Sequence, residues 1–458
     1  MLSSFDVYDT VLTRNVGSPE ALFLLLGRLL SKEGLIDMSP EMFARIRIES
    51  ERCAYRNHGS LTTLHHIYNE ILEALNLNET KCAIIMAAEV NFEEMLICMV
   101  PGISKILDEV RRNGRNVIFI SDMYMSSSFI QKQLARFYLW KPGDVCYVSC
   151  EHGMTKAEGL YKKILKDWKT KGALMEHLGN CYDSDVVAAK KHGLKVTPRF
   201  NANLNPYENV LESFKWYSGG FSSLMAGASR MARLSNAAVT SKEEVIFDIG
   251  SSVMAPTLVS YVLWILQQAQ KLRLERLYFV ARDGQMLFGI AKKLVERFNF
   301  SIELRYLYGS RQAWNFPAIQ TMNDHDMSWI FTQSHYLSIN SFLRSAHISL
   351  QEIADDLLSI GISECDWDRN MNDEERGKVR QLLVRNSKYS AIVLQQAADQ
   401  KMLLKEYLRQ EGFFDDLSIG LIDLRLFGTM DQSLYEITNR QFMCFFFGVQ
   451  KRAINNIS

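Results

Sequence analysis

Short apolar runs alternate with longer amphipathic stretches through the first 200 residues of the chain. The apolar runs have the length and composition of buried strands and lie at 2–7, 116–120, 145–149 and 175–178. The amphipathic stretches have helical periodicity and lie at 103–112, 127–138, 157–168 and 186–192. Strands that alternate with helices predict a parallel sheet with helices on both faces. The chain is therefore expected to begin with an α/β domain.

The pattern between the first two strands, from about residue 18 to 100, is helical throughout. Ser18-Pro19-Glu20 and Ser39-Pro40-Glu41 each combine an N-cap residue with proline at the first helical position. Helices are predicted at 21–30, 42–57, 61–77 and 78–99. A strand must find its parallel partner beyond this insertion, so the helices are expected to form a separate cap.

A second α/β pattern follows an Asn- and Pro-rich stretch at 200–207, which is read as a linker. Strands are predicted at 245–247, 277–280, 303–307, 418–422 and 445–449. With 458 residues the chain is too long for one core. We therefore predict a first domain at 1–200 with a helical cap at about 15–100, a linker at 201–215, and a second Rossmann-like α/β domain at 216–458 with a helical insertion at about 325–410.

Composition narrows the class of protein. Hydrophobic residues make up 47% and charged residues 23% of the chain, as in soluble globular proteins. Lys+Arg and Asp+Glu both number 52, which gives no electrostatic case for nucleic acid. The eight cysteines are scattered without a CxxC pair, and the longest apolar run, 253–266, is shorter than the roughly 20 residues of a membrane span. A cytoplasmic protein without a signal peptide or transmembrane segment is expected.

Polar groups suited to phosphoryl transfer fall at the carboxyl ends of the predicted strands. Asp6 ends the first strand, Ser121 ends the second, and Lys156 and the acidic 180–185 loop follow the next two. Parallel strands place such residues at one edge of the sheet. A carboxylate, a hydroxyl, an ammonium and a second acidic cluster are what the reaction requires. Each also has a structural alternative as a turn, a surface or a capping residue.

In this order the segments resemble the four motifs of the haloacid dehalogenase (HAD) superfamily over residues 1 to about 200. The motifs are Phe5-Asp6-Val7-Tyr8-Asp9-Thr10, Ile120-Ser121, Lys156, and Gly179-Asn180 through Asp185. The resemblance implies that Asp6 is the nucleophile, that Ser121 hydrogen-bonds the transferring group and that Lys156 steadies the charge. It also implies Mg²⁺ held by Asp6, the Tyr8 carbonyl and either Asp183 or Asp185.

A narrower resemblance involves Thr13-Arg14, Ser121-Asp122-Met123-Tyr124 and Arg282-Asp283-Gly284. These look like a group of bacterial predicted HAD hydrolases found with glycosyltransferases of surface-polysaccharide synthesis. The likeness implies a phosphorylated sugar or glycan intermediate as the substrate, in the form of a sugar phosphate or a nucleotide sugar. It also implies a glycosyltransferase partner. The substrate-binding residues expected on this basis are Thr10, Arg14, Asp122, Arg282, Asp283 and Arg311.

Two departures from the phosphatase pattern leave rival hypotheses open. Tyr8 stands where these phosphatases carry a general acid and base, a role worth about 10² to 10⁴-fold in rate. The site should therefore be a slow phosphatase unless Asp9 or a substrate group takes over that role. Asn180 stands where an acid is expected, and with Tyr8 it is similar to the metal-free dehalogenases. The alternatives are therefore a metal-free hydrolase and a non-catalytic HAD lobe whose second domain binds a nucleotide sugar.

The second domain also gathers polar residues at predicted strand ends. They are Asp248, Ser251, Arg282, Asp283, Ser310, Arg311, Asp423, Arg425, Gly428 and Thr429. Arginines and hydroxyls beside glycine turns suit a phosphorylated or nucleotide-linked ligand, although ion pairs at helix starts are an equal alternative. Neither GxxxxGK[ST] nor GxGxxG is present in the sequence.

Overall fold

The structure is a computed structural model that describes residues 2–236, 240–323, 326–327, 330, 336–424 and 429–448. The chain divides into two compact units, Met1–Thr257 and Leu258–Ser458. This division differs from the linker predicted at 201–215, because helices Pro206–Ser213 and Phe221–Leu234 belong to the first unit. On the second of these helices, a Cβ at Gly227 would lie 2.3 Å from the carbonyl carbon of Asn15. Only glycine permits this close packing against the start of the chain.

The first unit contains a five-stranded parallel sheet, which confirms the predicted α/β class. Its strands are β1 (Leu2–Asp6), β4 (Asn116–Ser121), β5 (Val145–Val148), β6 (Met175–Gly179) and β7 (Lys195–Pro198). Their spatial order is β5-β4-β1-β6-β7, and every neighbouring pair is parallel. All five residues of β1 are buried, as its apolar run predicted. The polar turn after β1 therefore opens at the carboxyl edge of the sheet, between two neighbours.

A helical insertion leaves this sheet after β1 and returns before β4. Its helices are Pro19–Lys32, Pro40–His58, Leu64–Leu75 and Glu79–Leu96. They pack around a common core that includes Leu26, Phe43, Ile67 and Ile85. An antiparallel ribbon of β2 (Leu12–Arg14) and β3 (Ile97–Met99) joins the two ends of the insertion. The sequence did not predict this ribbon, because three-residue strands are too short to show an alternating pattern.

Helices and two π-helical turns connect the remaining strands of the first unit. The helices are Ile103–Arg112, Ser127–Arg136, Ser149–His152, Tyr161–Asp167 and Ala188–Lys191. The π-helical turns are Lys156–Leu160 and Tyr182–Val187. Both turns follow carboxyl ends of strands, so their first residues lie at the same edge of the sheet as Asp6.

The second unit has its own parallel sheet, as predicted for a second α/β domain. Its strands are β8 (Arg276–Val280), β9 (Glu303–Leu307), β10 (Ile419–Asp423) and β11 (Met443–Phe446), in the order β11-β10-β8-β9. Its described helices include Gly284–Phe298, Arg311–Asn315, Ile339–Ala346, Leu350–Ser359, Asp373–Arg385, Ser387–Gln410 and Thr429–Thr438.

The strand predicted at 245–247 is wrong, because these residues lie inside a continuous helix, Ser241–Lys271. Thr240 and Glu243 form a capping box at its start, and this nucleates a helix despite the β-prone Val-Ile-Phe run. Asp248 and Ser251 are therefore helical residues. Among the described residues, this helix alone is long and apolar enough to cross a membrane, with a mean hydropathy of 1.6 and 44% of its apolar window buried. Core helices of globular proteins meet the same criteria.

Candidate active site

The carboxyl edge of the first sheet brings the predicted catalytic residues together. Asp6 ends β1, Ser121 ends β4, and Asn180 directly follows β6. The order β5-β4-β1-β6-β7 means that the chain leaves β1 toward β4 and later returns to β6 on its other side. Such a reversal of strand order opens the crevice in which α/β proteins bind ligands. Lys156 reaches the same crevice from the π-helical turn that Thr155 and Glu158 cap.

The Asp6 carboxylate is buried, and both of its oxygens are held. Lys156 Nζ donates to Oδ1 at 2.6 Å, and the Thr10 hydroxyl donates to Oδ2 at 3.1 Å. Burial raises the pKa of Asp6 to about 7, although the Lys156 ammonium acts to lower it. Thr10 is fully buried and is absent from the cavity lining, so the contact seen for this predicted substrate-binding residue is one that orients Asp6.

Lys156 is clamped between two buried carboxylates. Its Nζ lies 2.6 Å from Asp6 Oδ1 and 2.5 Å from Asp185 Oδ1. Burial alone would lower the pKa of the Lys156 ammonium, but Asp6 and Asp185 hold that pKa well above its ordinary value. The side chain is therefore a fixed positive charge beside the candidate nucleophile.

Asp185 belongs to a chain of hydrogen bonds that the sequence did not reveal. His177 Nε2 lies 3.2 Å from Asp185 Oδ1, Cys181 N–H donates to Oδ2 at 2.9 Å, and the Ser4 hydroxyl lies 2.8 Å from His177 Nδ1. Burial lowers the pKa of His177, so the neutral ring can donate to Asp185 and accept from Ser4. Asp185 thus orients Lys156, and because it also lines the cavity at Asp6, its role as a metal ligand stays a prediction. The signal in the sequence was a polar Ser4 in β1 and a polar His177 in β6, two strands predicted to be buried.

The second predicted acidic ligand, Asp183, does not face the cavity. Its side chain is exposed, and it is absent from the lining of the pocket at Asp6. It lies in the π-helical turn Tyr182–Val187, whose first residues face solvent, whereas Asp185 faces the sheet. The alternation of the turn therefore separates two aspartates that are only two positions apart in sequence.

Asn180 takes the position between Asp6 and the Tyr8 carbonyl. One atom of its side-chain amide lies 3.1 Å from Asp6 Oδ2 and 3.1 Å from the Tyr8 carbonyl oxygen. Both of these neighbours are acceptors, so the amide is satisfied with its nitrogen toward Asp6 and the Tyr8 carbonyl and its oxygen toward Asn203, 2.7 Å away. In the reverse orientation the amide oxygen would face the Asp6 and Tyr8 oxygens.

With the Asn180 oxygen turned toward Asp6, these three groups would form a set of hard oxygen donors that could hold Mg²⁺. It contains one carboxylate and two neutral oxygens, so it differs from the His, Cys, Asp and Glu clusters typical of transition-metal sites. Over the part of the chain that the structure describes, no cluster of three or more such residues is present. In the opposite orientation, the Asn180 nitrogen would donate to Asp6 and Tyr8, and the three groups would hold together without a cation.

The Tyr8 side chain cannot replace the missing acid and base. Its hydroxyl is buried and makes no hydrogen bond to the residues that the structure describes. The Arg14 guanidinium lies 4.1 Å from the centre of the Tyr8 ring, and Arg14 also binds Glu93 at 2.7 Å. Burial and the Glu93 charge raise the pKa of Tyr8 far above the neutral range. The phenol therefore keeps its proton and cannot activate water.

Asp9 is also committed elsewhere. The Thr13 hydroxyl donates to its Oδ1 at 2.5 Å, and Arg230 donates to the same oxygen at 3.1 Å. Its φ of 57° turns the chain away from the strand direction. Asp9 is absent from the lining of the pocket. The possibility that Asp9 substitutes for the usual acid therefore finds no support in the geometry.

The cavity above Asp6 has a volume of about 1160 Å³ and is walled by both the sheet edge and the helical insertion. Ser121, the predicted catalytic hydroxyl, and Asp122 and Arg14, the predicted substrate-binding residues, all line it. The Asp122 carboxylate also accepts a hydrogen bond from the Lys156 backbone at 2.9 Å. The helical insertion also contributes lining residues that the sequence did not predict, and these are Pro19, Glu20, Phe23, Ile48, Glu49, Glu51, Arg52, Tyr55 and Arg56.

The remaining predicted residues lie in the second unit. Arg282 and Arg311 line a separate pocket of about 410 Å³. Asp283 lies 3.4 Å from the Arg282 guanidinium and does not line that pocket. Arg425 and Gly428 lie outside the described residues, and Thr429 begins a helix.

No family model matches the sequence, and no curated protein matches it. Among solved structures, a 2-haloacid dehalogenase from Pseudomonas syringae is 14% identical, with 43% of this chain and 84% of that chain covered and a TM-score of 0.33. YfnB from Bacillus subtilis, which is described as a HAD-hydrolase and was solved with magnesium, is 18% identical. The match covers 43% of this chain and 86% of that chain, with a TM-score of 0.33. A HAD phosphatase from Thermococcus onnurineus is 15% identical, with 43% of this chain and 84% of that chain covered and a TM-score of 0.31. The similar structures are thus HAD-superfamily hydrolases that match less than half of this chain, and at these scores they assign no function.

Proposed function

We propose that the first unit is a hydrolase of HAD type that transfers a phosphoryl group through Asp6. In the first step Asp6 Oδ2 or Oδ1 would attack phosphorus, the P–O bond to the substrate alcohol would break, and an aspartyl phosphate would form. In the second step water would attack phosphorus and release Asp6 and phosphate. The observation that carries this proposal is the buried Asp6 carboxylate, which Lys156 neutralises at 2.6 Å in the wall of a large cavity.

Each neighbouring residue has a part in this proposal. Lys156, held by Asp185, would keep its charge beside the phosphoryl oxygens throughout the reaction. The Ser121 hydroxyl at the end of β4 would donate to one of those oxygens. Asp6, the Tyr8 carbonyl and Asn180 would hold Mg²⁺, which when bound supplies charge neutralisation for the phosphate.

Proton transfer is the weak part of this site, and it predicts slow turnover. Asp9 is held by Arg230, and Tyr8 keeps its proton, so neither can act as the base that activates water. General bases contribute about 10² to 10⁴-fold in rate. Hydrolysis of the aspartyl phosphate should therefore limit the rate, and the phosphorylated protein should accumulate during turnover.

The size and lining of the cavity support a phosphorylated sugar or glycan as the substrate. A volume of about 1160 Å³ exceeds the needs of a small phosphate ester. Glu20, Glu49 and Glu51 line it as acceptors for hydroxyl groups, and Tyr55 offers an aromatic face. The link to surface-polysaccharide synthesis and to a glycosyltransferase partner rests on the sequence resemblance.

The test is turnover of an aryl phosphate and a panel of sugar phosphates with Mg²⁺. Wild type, Asp6→Asn and the matched control Asp183→Asn should be compared, because Asp183 is exposed outside the cavity. We expect loss of activity only in Asp6→Asn, and an acid-stable, hydroxylamine-sensitive phosphoprotein in the wild type. Equal rates in wild type and Asp6→Asn would contradict the proposal and favour a non-catalytic lobe.

Metal-free displacement at carbon is a second candidate function, and one observation favours it. With its nitrogen toward Asp6, Asn180 satisfies Asp6 Oδ2 and the Tyr8 carbonyl at 3.1 Å without any cation. Asp6 would then attack carbon, displace a halide and form an ester that water hydrolyses. Halide release from a haloacid that persists in EDTA would support this candidate, and a strict Mg²⁺ requirement would exclude it.

A further inference from the structure

The second unit has a cavity at the position in its sheet that corresponds to the Asp6 site in the first. The order β11-β10-β8-β9 places β9 on one side of β8 and β10 on the other. The reversal of strand order therefore lies at the carboxyl end of β8, where open α/β sheets bind ligands. The cavity there has a volume of about 410 Å³, within the range of small-molecule sites. It is lined by Val280, Ala281, Arg282, Gly309, Ser310, Arg311, Gln312, Asp423 and Met430.

Arg282 has an unusual backbone conformation in the turn after β8. Its φ of 74° lies in the left-handed region, which residues with a Cβ adopt at a cost. Among the described residues, side-chain packing offsets little of that cost, because the Arg282 side chain is 74% exposed and pairs with the adjacent Asp283 at 3.4 Å. Strained residues of this kind concentrate at binding sites.

The surrounding turn fixes Arg282 in this conformation. The Ala281 N–H donates to the Leu307 carbonyl at 2.8 Å, and the Arg282 N–H donates to the Tyr306 hydroxyl at 2.9 Å. The following helix starts at Gly284, where a Cβ would lie 2.9 Å from the carbonyl carbon of Phe279. The turn is therefore tight at both ends, and it places Arg282 in the lining of the cavity.

The other polar groups of the cavity define the ligand chemistry. Arg311 supplies a second guanidinium from the segment after β9, and guanidinium forks match phosphate oxygens. Asp423, at the end of β10, supplies a carboxylate that accepts hydrogen bonds from hydroxyl groups. Ser310 and Gln312 add polar groups between them. The set combines anion recognition with hydroxyl recognition in one small cavity.

We propose that this cavity binds the phosphate of a phosphorylated polyol, with Arg282 as its principal phosphate contact. The ligand is either a sugar phosphate or a nucleotide, which share a phosphate group next to hydroxyl-bearing carbons. The proposal is independent of phosphoryl transfer at Asp6, because every residue involved lies in the second unit.

Binding should be measured by calorimetry on the full chain with inorganic phosphate, glucose 1-phosphate and uridine diphosphate. The chain should carry Asp6→Asn, so that turnover in the first unit does not consume the ligand. We expect saturable binding that Arg282→Gly weakens at least tenfold. Tighter binding of glucose 1-phosphate than of uridine diphosphate would identify a sugar phosphate site, and the opposite order would identify a nucleotide site. The matched control is Arg297→Gln, because Arg297 is exposed at the far end of the helix Gly284–Phe298 that follows Arg282.

Arg282→Gly also separates a binding role from a structural one. Glycine adopts a φ of 74° without strain, so the variant should keep or raise the melting temperature while it loses phosphate binding. A melting temperature that falls in Arg282→Gly would show that the arginine stabilises the fold and would overturn the proposal. Phosphate binding that is unchanged in Arg282→Gly, or absent from the parent chain, would overturn it as well.

Discussion

Lys156 is the residue on which the charge balance of the Asp6 site depends. Two buried carboxylates approach its ammonium within 2.6 Å, and the Ser4–His177–Asp185 chain fixes one of them from below. Without the ammonium, two negative charges would share a space that excludes water. The sequence placed Lys156 at this edge of the sheet, and the structure adds that Asp185, a predicted metal ligand, forms an ion pair with the lysine.

Replacing Lys156 by methionine should therefore destabilise the first unit strongly. Removal of one partner from a buried ion pair typically costs about 3 to 5 kcal/mol. The control Lys163→Met breaks a partly exposed pair with Asp167 and should cost less than about 1 kcal/mol. Urea unfolding of the two variants and the wild type measures both values. Similar losses in the two variants would show that Lys156 is not the centre of the site.

The raised pKa of Asp6 predicts a pH dependence of stability. Its value rises from 3.8 to about 7 through burial, so the folded state binds more protons than the unfolded state between these values. The free energy of unfolding should consequently fall as pH increases from about 4 to about 7. Metal-free wild type should lose roughly 2 to 4 kcal/mol more than Asp6→Asn across this interval, by urea unfolding. Added Mg²⁺ should reduce the difference, since a cation favours the carboxylate.

At the scale of elements, the helix Phe221–Leu234 holds the loop that follows β1 and Asp6. Arg230, on this helix, is buried and donates to Asp9 Oδ1 at 3.1 Å and to the carbonyls of Arg14 and Val16 at 2.7 and 2.9 Å. These contacts hold the loop whose Tyr8 carbonyl faces the proposed cation. A helix more than 200 residues away in sequence thus positions the loop after β1.

Arg230→Met should lower kcat about tenfold or more with a smaller change in KM. Loss of the three contacts would let the Tyr8 carbonyl move, and displacements of about 1 Å at a reacting centre can cost 10²-fold in rate. Arg233→Met is the matched control, because the neighbouring Arg233 binds Glu208 and the 201 and 203 carbonyls and does not contact the loop. Equal effects on kcat and on the Mg²⁺ concentration for half-maximal rate in the two variants would refute this role.

At the scale of the molecule, the first unit extends to Thr257 and includes the segment first read as a linker. The helix that carries Arg230 follows this segment, and the Asn205 amide also binds the Ser252 hydroxyl at 2.9 Å. The unit that contains the Asp6 site therefore extends beyond residue 200, where the resemblance to the four motifs ends. Its boundary was hidden because the Asn- and Pro-rich stretch has the composition of a linker.

A chain truncated after residue 257 should keep the proposed aryl phosphatase activity, whereas truncation after residue 215 should abolish it. The shorter chain lacks Arg230 and exposes the core surface that helix Phe221–Leu234 covers. Activity and circular dichroism of the two truncated chains provide the measurement. If the shorter chain were as active as the longer one, the helix would be dispensable for the site.

Local hydrophobic periodicity allowed the sequence to determine the class of fold and most of its elements. The helix Ile103–Arg112 and the strand Glu303–Leu307 have the predicted bounds. The β2–β3 ribbon was too short to show a pattern, and the helix through 245–247 formed because a capping box outweighed β-prone residues. The order of motifs also placed Asp6, Ser121 and Lys156 at one sheet edge, because parallel strands end at the same side.

Only the tertiary structure decided how those residues are paired. Asn180 faces Asp6, Asp185 holds Lys156, and Arg230 occupies Asp9, across separations of 174, 29 and 221 positions. Such pairing depends on which side of a turn each side chain faces, and short-range periodicity contains no information on that. The sequence thus determined that the strand ending at Asp6 opens a polar crevice, and the packing determined which groups in the crevice remain available for chemistry.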